Sequence, residues 1–248
     1  MKARTLIAAV VILVAAAVCV RLGLWQISRW GEKRALNQAM REAMSSPPRD
    51  LGSAAAPLDS VIRRRVRVSG RFDETRQILL SARSQNHGPG VEVVTPLRLA
   101  DGCAVLVDRG WLFAADAMTA RPQDYPEPGE RVVLGMAEAI PGGRGGWSPR
   151  TIEADSVTLL SARWLDRDSL AAHFPYALAP FVVRELPGPG VPAEPARTVP
   201  QPLDETMHIS YTAQWFLFAA ILLLGPFLVR RSRRRAARGE SDLIIPRS

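Results

Sequence analysis

Two long apolar runs bracket a middle stretch in which apolar residues alternate with polar ones. The first runs from Thr5 to Val20, is broken by Arg21 and resumes through Leu22, Gly23, Leu24, Trp25 and Ile27; the second runs from His208 to Val229 without a charged residue. At about 1.5 Å per residue the second covers about 33 Å, enough to cross a hydrocarbon core of about 30 Å. The runs predict two transmembrane helices, over 5–27 and 206–229. Ala15 to Ala17 imitate a signal cleavage site, but the apolar character continues too far for a signal peptide, so the first run reads as an uncleaved anchor.

Between the runs the period changes. Residues 28–46, rich in Glu, Lys, Arg, Ala and Met, predict a helix that continues out of the first span. Pro47, Pro48 and the Gly52 to Pro57 stretch end it and read as a linker. Val66 and Val68 then alternate with Arg65, Arg67 and Ser69, the signature of a strand with one wet face. Further strands are predicted at Gln77 to Ala82, Val91 to Leu99, Ala104 to Val107, Arg131 to Ile140 and Phe181 to Leu186. Turn-forming residues separate them at Asn86 to Gly90, Asp101-Gly102, Pro126 to Gly129 and Pro141 to Gly146. One short helix is expected at Asp166 to Phe174, with Asp166 as N-cap. Pro187 to Pro202, poor in apolar residues, reads as a tether back to the second span. The predicted class is an α+β membrane protein: two transmembrane helices flank a β-rich domain, a small barrel or sandwich, within 47–202.

Charge refines this picture. The net charge of +8 would suggest a nucleic-acid binder, but residues 1–4 carry +2 and the basic tail 230–248 carries +5, which leaves +1 for everything between. An excess confined to the ends is topogenic, so no nucleic-acid partner is expected. Lys2 and Arg4 before the first span, and the Arg230 to Arg238 cluster after the second, place both termini in the cytoplasm of a two-span cell-membrane protein. The β-rich domain is then extracytoplasmic, and the bilayer itself is a partner, with the tail able to meet anionic lipid.

Candidate chemistry gathers at the spans. At about 100° per residue, His208, Tyr211, Thr212 and Trp215 share one helix face. Tyr and Trp form interfacial belts whatever a protein does, and an interfacial histidine can be a satisfied structural residue. Yet a helix start disfavours imidazolium and attracts anions, so His208 also suits a cofactor with a ligatable iron and carboxylate arms, such as haem. On the first span, Trp25 is an interfacial anchor. Arg21 either snorkels to the headgroups or pairs with an anionic group held between the helices. Cys19 and Cys103 lie in different environments and predict no disulfide. His87 reads as a loop residue and His173 as a helix surface or core residue. With no HExxH, G-x-S-x-G, P-loop or dinucleotide fingerprint, no enzyme is expected. Asp108-Arg109-Gly110-Trp111 ends a predicted strand as a corner that serves either packing or docking, packing being favoured.

Several of these stretches, in this order between two spans, resemble the surfeit locus protein 1 family of cytochrome c oxidase assembly factors. They are Leu22-Gly23-Leu24-Trp25-Gln26 with Arg29 and Lys33, Arg67-Val68-Ser69-Gly70 with Phe72, Val94-Thr95-Pro96-Leu97, Val105 to Trp111, and His208 with Tyr211, Gln214 and Trp215. The sequence departs from the family pattern at Glu32, where an aromatic often precedes the lysine, at Thr212, where alanine is common, and at Asp204 to Met207, which replace an Asn-rich approach to the histidine. The resemblance implies a protein that binds or delivers haem a while subunit I of an aa3-type oxidase matures. His208 would be the iron contact, and Tyr211, Trp215, Arg21 and Trp25 would be the surrounding cofactor-binding residues. It also implies cytochrome c oxidase subunit I as a partner, with haem a synthase as a further one. The alternative is a membrane scaffold or chaperone for oxidase subunits or copper-centre maturation that does not touch haem.

Overall fold

The structure is a computed structural model and describes residues 2–54, 56–85, 88–143, 147–154 and 157–241. The chain divides into two compact units, one formed by residues 1–39 and 202–248 and the other by residues 40–201.

The first unit is a helical pair. Helix α1 (Lys2–Ser45) is continuous, so the predicted span and its predicted extension are one helix that stops at Pro47 and Pro48. Both α1 and the C-terminal helix α4 (Thr206–Ser241) are long and apolar enough to cross a membrane. Their mutual packing uses small residues. Ala16 and Cys19 on α1 and Ala219 on α4 are buried, and a side chain at Gly23 would start 3.0 Å from the Phe216 ring. Residues 16, 19 and 23 follow an i, i+3, i+7 stripe, which lets the backbones approach.

The second unit is a β-barrel with an extension. Its strands are β1 (Arg49–Leu51), β2 (Arg65–Phe72), β3 (Ile78–Gln85), β4 (Gly88–Arg98), β5 (Ala104–Phe113), β6 (Glu130–Ala139), β7 (Arg150–Ala154), β8 (Val157–Ala162) and β9 (Leu178–Glu185). They form one sheet in the order β1-β2-β6-β9-β5-β4-β3-β8-β7, and a further pairing of β2 with β4 closes β2, β6, β9, β5 and β4 into a ring. Of the two predicted forms, barrel and sandwich, the ring selects the barrel. Closure is tight at Gly70, where a Cβ would lie 2.2 Å from the Arg98 carbonyl oxygen.

Alternation explains the interior. Val66, Val68 and Phe72 of β2 meet Leu97, Val105, Val107, Val133, Phe181 and Val183 from the other ring strands. Each such side chain stabilises by about 1.5–3 kcal/mol when fully buried. A second apolar layer lies outside the ring, where Ile78, Leu80, Val94 and Leu106 are covered by Leu165, Leu170 and Phe174. The covering segment carries the short helix α3 (Arg167–Leu170), capped by Asp166, whose side chain accepts from the Ser169 N–H at 3.1 Å. A 3-10 turn at Ala171–His173 completes the predicted helical stretch.

Four expectations are corrected. The predicted linker contains β1, which pairs in parallel with β2, followed by the one-turn helix α2 (Leu58–Val61). Strands β7 and β8, which carry the sheet beyond β3, were not predicted from the pattern. Strand β5 does not end at the Asp108 corner but runs on to Phe113. The break in register opposite Val93 and Val94 makes Arg109 an extra, bulged residue, and Gly110 takes φ +114° beside it. Lastly, the predicted tether is pinned: Trp111 and Ala196 exchange backbone hydrogen bonds of 3.0 and 2.8 Å. A Cβ at Gly110 would lie 2.5 Å from the Ala196 oxygen, so this strap needs glycine there.

Candidate functional site

In the helical unit, the residues at the start of α4 are held by α1. Asn37 is 3% exposed. Its amide donates to the Leu203 oxygen at 2.9 Å and to Glu205 Oε1 at 2.7 Å, while its oxygen accepts from the Leu203 N–H at 2.8 Å. Lys33 Nζ donates to the Asp204 oxygen at 3.1 Å. Of the stretch Asp204 to Met207 that departs from the family pattern, Asp204 and Glu205 are thus held by α1, together with the preceding Leu203. A buried amide with its hydrogen bonds made fixes register, because any slip would leave these groups unpaired in an apolar seam.

Together with the Gly23–Phe216 contact, this clasp sets an antiparallel register between the helices. The backbone of His208 lies in α4, level with the Gly31 to Lys33 turn of α1; its side chain lies outside the described residues. Trp30 belongs to the same level. Its indole Nε1 is buried without a hydrogen-bond partner among the described residues, and the Arg34 guanidinium carbon sits 5.2 Å from its ring centroid. Tyr211 is half exposed, and Trp215 packs edge-on against Phe218 with centroids 6.0 Å apart.

The structure does not bring all the predicted residues together. Trp25 is level with Trp215, but Arg21 lies about 16 Å along the axis from the level of His208. Both Arg21 and Trp25 are exposed, about 160° around α1 from the Cys19–Gly23 stripe. They share an open apolar groove with Val18, Leu22 and Leu24 on that outer face. The cations at the level of His208 are Lys33 and Arg34, and pattern alone did not single them out. A signal existed: Trp30, Lys33, Arg34 and Asn37 recur at i, i+3, i+4 and i+7 in a stretch read only as a polar extension.

In the barrel unit, the Asp108 to Trp111 corner is structural. Arg109 is fully buried and lies over the Phe72 ring at 5.3 Å. It donates to Glu127 Oε1 at 3.0 and 2.9 Å, to the Tyr125 oxygen at 2.5 Å and to Gln77 Oε1 at 3.3 Å. Glu127 also pairs with Arg197 from the strap and with Arg131 at 2.9 Å, and Arg197 reaches Glu185 Oε2 at 2.8 Å. Burial alone would push Glu127 up, but Arg109 and Arg197 outweigh it and hold the carboxyl below its ordinary range. For Glu185 burial wins, and the pKa is raised despite Arg197.

Asp108 points to the other side of the strand. Burial first, and then Glu92, push its carboxyl up to about 7, against Arg184 and the Gly110 N–H. Arg184 stands 3.8 Å from Asp108 Oδ2 and also pairs with Glu92 and Glu138. Cys19 and Cys103 are both free thiols. His87 lies outside the described residues. His173 stacks edge-on with Trp147 at 5.0 Å, and its Nδ1 is 3.1 Å from the Ser169 oxygen, which makes it a packing residue of the covering segment.

Comparison with known proteins agrees with this organisation. The model of the SURF1 family matches residues 13–220, which takes in α1 from its first third, the whole barrel and the first half of α4. Among similar curated proteins, a SURF1-like protein of Dictyostelium discoideum is 33% identical over 99 residues, 36% of this chain and 37% of its own length. One from Rickettsia felis is 32% identical over 103 residues, 41% of this chain and 44% of its own. One from Monosiga brevicollis is 34% identical over 107 residues, 39% of this chain and 41% of its own. These alignments span about two fifths of the relatives' length, whereas the family match runs through both units. The chain belongs to the SURF1 family.

Proposed function

We propose that this protein is an assembly factor for an aa3-type cytochrome c oxidase, binding or delivering haem a while subunit I matures. Membership of a family tied to cytochrome oxidase assembly supports the general role. The observation that carries the haem reading is the arrangement at the start of α4. There the backbone of His208 is level with a buried indole N–H from Trp30 that has no partner among the described residues and with the cations Lys33 and Arg34. These residues fit such a cofactor. His208 would offer the imidazole, and Lys33 and Arg34 would neutralise carboxylate arms. Trp30 would donate the hydrogen bond it lacks, while Tyr211 and Trp215 would border the macrocycle. Haem itself supplies no reaction in this reading; it is cargo, and no catalytic step is assigned to the protein. Arg21 and Trp25, on the outer face of α1, fit the role of interfacial anchors.

In this reading α1 and α4 span the cell membrane, both termini are cytoplasmic, and the barrel is extracytoplasmic. Oxidase subunit I is the recipient and haem a synthase the donor-side partner. The rival is a scaffold that serves oxidase subunits or copper-centre maturation without touching haem. The close contact of Gly23 with Phe216 favours it, because a planar group cannot enter the seam at that level. The two are separated by purifying the protein from cells that make haem a and recording its absorption spectrum. A haem a spectrum at a stoichiometry near one supports the first reading, and a haem-free protein that still restores oxidase assembly supports the second.

A further inference from the structure

Residues 40–201 contain nineteen arginines, no lysine, and nineteen aspartates and glutamates, so the unit is neutral overall. The charge is nevertheless segregated, because five of those arginines fall within residues 63–71. In β2 the even positions Val66, Val68 and Phe72 fill the barrel, so Arg65, Arg67, Ser69 and Arg71 point outward. Strand β6 runs antiparallel beside it and sets Leu134 opposite Arg67, Val132 opposite Ser69 and Glu130 opposite Arg71.

This outer strip differs from an ordinary wet face in two ways. Val132, at its centre, is 62% exposed although flanked by arginines. The guanidinium groups are also poorly neutralised. Arg71 has no ion-pair partner among the described residues, and Arg67 has only Asp50 at 3.0 Å, with both side chains well exposed. An exposed pair of that kind is worth about 0–1 kcal/mol and is readily exchanged for another carboxylate. Glu130 is the remaining acid on the strip. Arg65 is already used, donating to the Met44 oxygen at 2.9 Å. Beside the strip a groove of about 510 Å³ is lined by Arg67, Ser69, Arg71, Arg98, Asp50 and Glu130.

We propose that the outer face of β2 and β6 is a docking strip for an extended acidic segment of a partner protein. The spacing specifies the segment. Arg67 and Arg71 are four residues apart on a strand, about 13 Å. An extended partner strand matches that distance with carboxylates at positions i and i+4, and the side chain at i+2 then falls over Ser69 and Val132, where an apolar group fits. A membrane surface is the weaker match. Anionic lipid needs only point charges, whereas Arg67 and Arg71 present planar forks that bind carboxylates in pairs, and arginine is enriched at protein interfaces. The inference concerns the barrel and stands whether or not the helices hold haem.

The test uses the full-length protein in uncharged detergent and fluorescence anisotropy of labelled Glu-Ser-Val-Thr-Glu, with Gln-Ser-Val-Thr-Gln as control. The acidic peptide is expected to bind at least tenfold more tightly than its amide form. Arg67→Gln with Arg71→Gln is expected to remove that difference while leaving the thermal unfolding temperature unchanged, since both side chains are exposed. Because the basic tail is present in every sample, only this difference counts. Arg67→Glu with Arg71→Glu should transfer the preference to Lys-Ser-Val-Thr-Lys. Equal binding of the acidic and amide peptides, or an acidic preference untouched by the double glutamine variant, would overturn the proposal. So would a strip that ignores the peptides while the same arginines drive binding to phosphatidylglycerol vesicles but not to phosphatidylcholine ones, which would make it a lipid contact.

Discussion

Arg197 Nη2 lies 2.8 Å from Glu185 Oε2, with both side chains 1% exposed, and the pair turns a Pro-rich segment into a clamped strap. Arg197 also donates to the Pro195 oxygen at 2.9 Å and pairs with Glu127, so one guanidinium joins the strap to β9 and to the loop before β6. Replacing it leaves Glu185 buried without its cation. Breaking a buried pair from one side costs about 3–5 kcal/mol. We therefore expect Arg197→Met to lower the unfolding temperature of the full-length protein markedly and to open residues 187–202 to protease. Arg197→Lys should fall between, keeping the charge without the fork. A fully stable, protease-resistant Met variant would contradict the clamp.

Asp108 predicts a pH dependence of the opposite sign to an ordinary salt-bridged carboxylate. Its folded pKa of about 7 is above the unfolded value of 3.8, so its contribution to stability is fully present below about pH 4 and is lost as pH rises through about 7. Asp108→Asn keeps an acceptor for the Gly110 N–H, which the wild-type carboxylate receives at 3.0 Å, and leaves Arg184 its two glutamates. The variant should be more stable than wild type at pH 8, by at most about 4 kcal/mol, and should lack the decline between pH 4 and 7. Parallel stability curves for the two proteins across that range would rule out a perturbed Asp108.

At Gly23 α1 packs closely against the Phe216 ring of α4. Gly23→Leu places a branched side chain where even a Cβ would be 3.0 Å from the Phe216 ring, so that ring must be displaced and the packing of the helices there loosened. Cysteines introduced at Asn37 and Leu203, across the clasp, should cross-link less efficiently in the Gly23→Leu protein than with Gly23 intact. Unchanged cross-linking would place the register elsewhere.

The barrel was largely legible because its interior strands obey a period of two: Val66 and Val68, Val105 and Val107, and Val133 with Ala137 all mark inward positions. What escaped reading depends on contacts distant in sequence. Arg49-Asp50-Leu51 follows two prolines and resembles linker until β2 supplies its parallel partner. Arg197 stands in a Pro-rich stretch read as a tether, and nothing local reveals Glu185 or Glu127. The face of α1 that meets α4 was likewise undetermined: a sequence gives the angle between Arg21 and Gly23 but not which of them meets α4. The start of α4 is a candidate on its own residues, whereas the placement of Trp30, Lys33 and Asn37 beside it comes only from the register of the helix pair.

The proposed topology, with both termini cytoplasmic, rests on the basic ends. A reporter active only outside the membrane, fused after Ser248, should be silent, and the same reporter inserted after Gly102, in the turn between β4 and β5, should be active. Activity at the C-terminal fusion would reverse the assignment.

Deleting the protein should lower aa3-type oxidase activity far more than that of terminal oxidases without haem a. An equal loss across all of them would point to general membrane or copper stress and away from haem a.

The haem-binding claim rests most directly on His208. Alanine suits a helix and leaves the apolar run intact, so His208→Ala should insert normally while losing the imidazole. The measurement is the haem a absorption spectrum and haem content of wild type and His208→Ala, purified at equal membrane abundance from cells that make haem a. The account predicts haem a on the wild type and a large loss, with a shifted spectrum for any residue retained, on the variant; equal haem with an identical spectrum would contradict it.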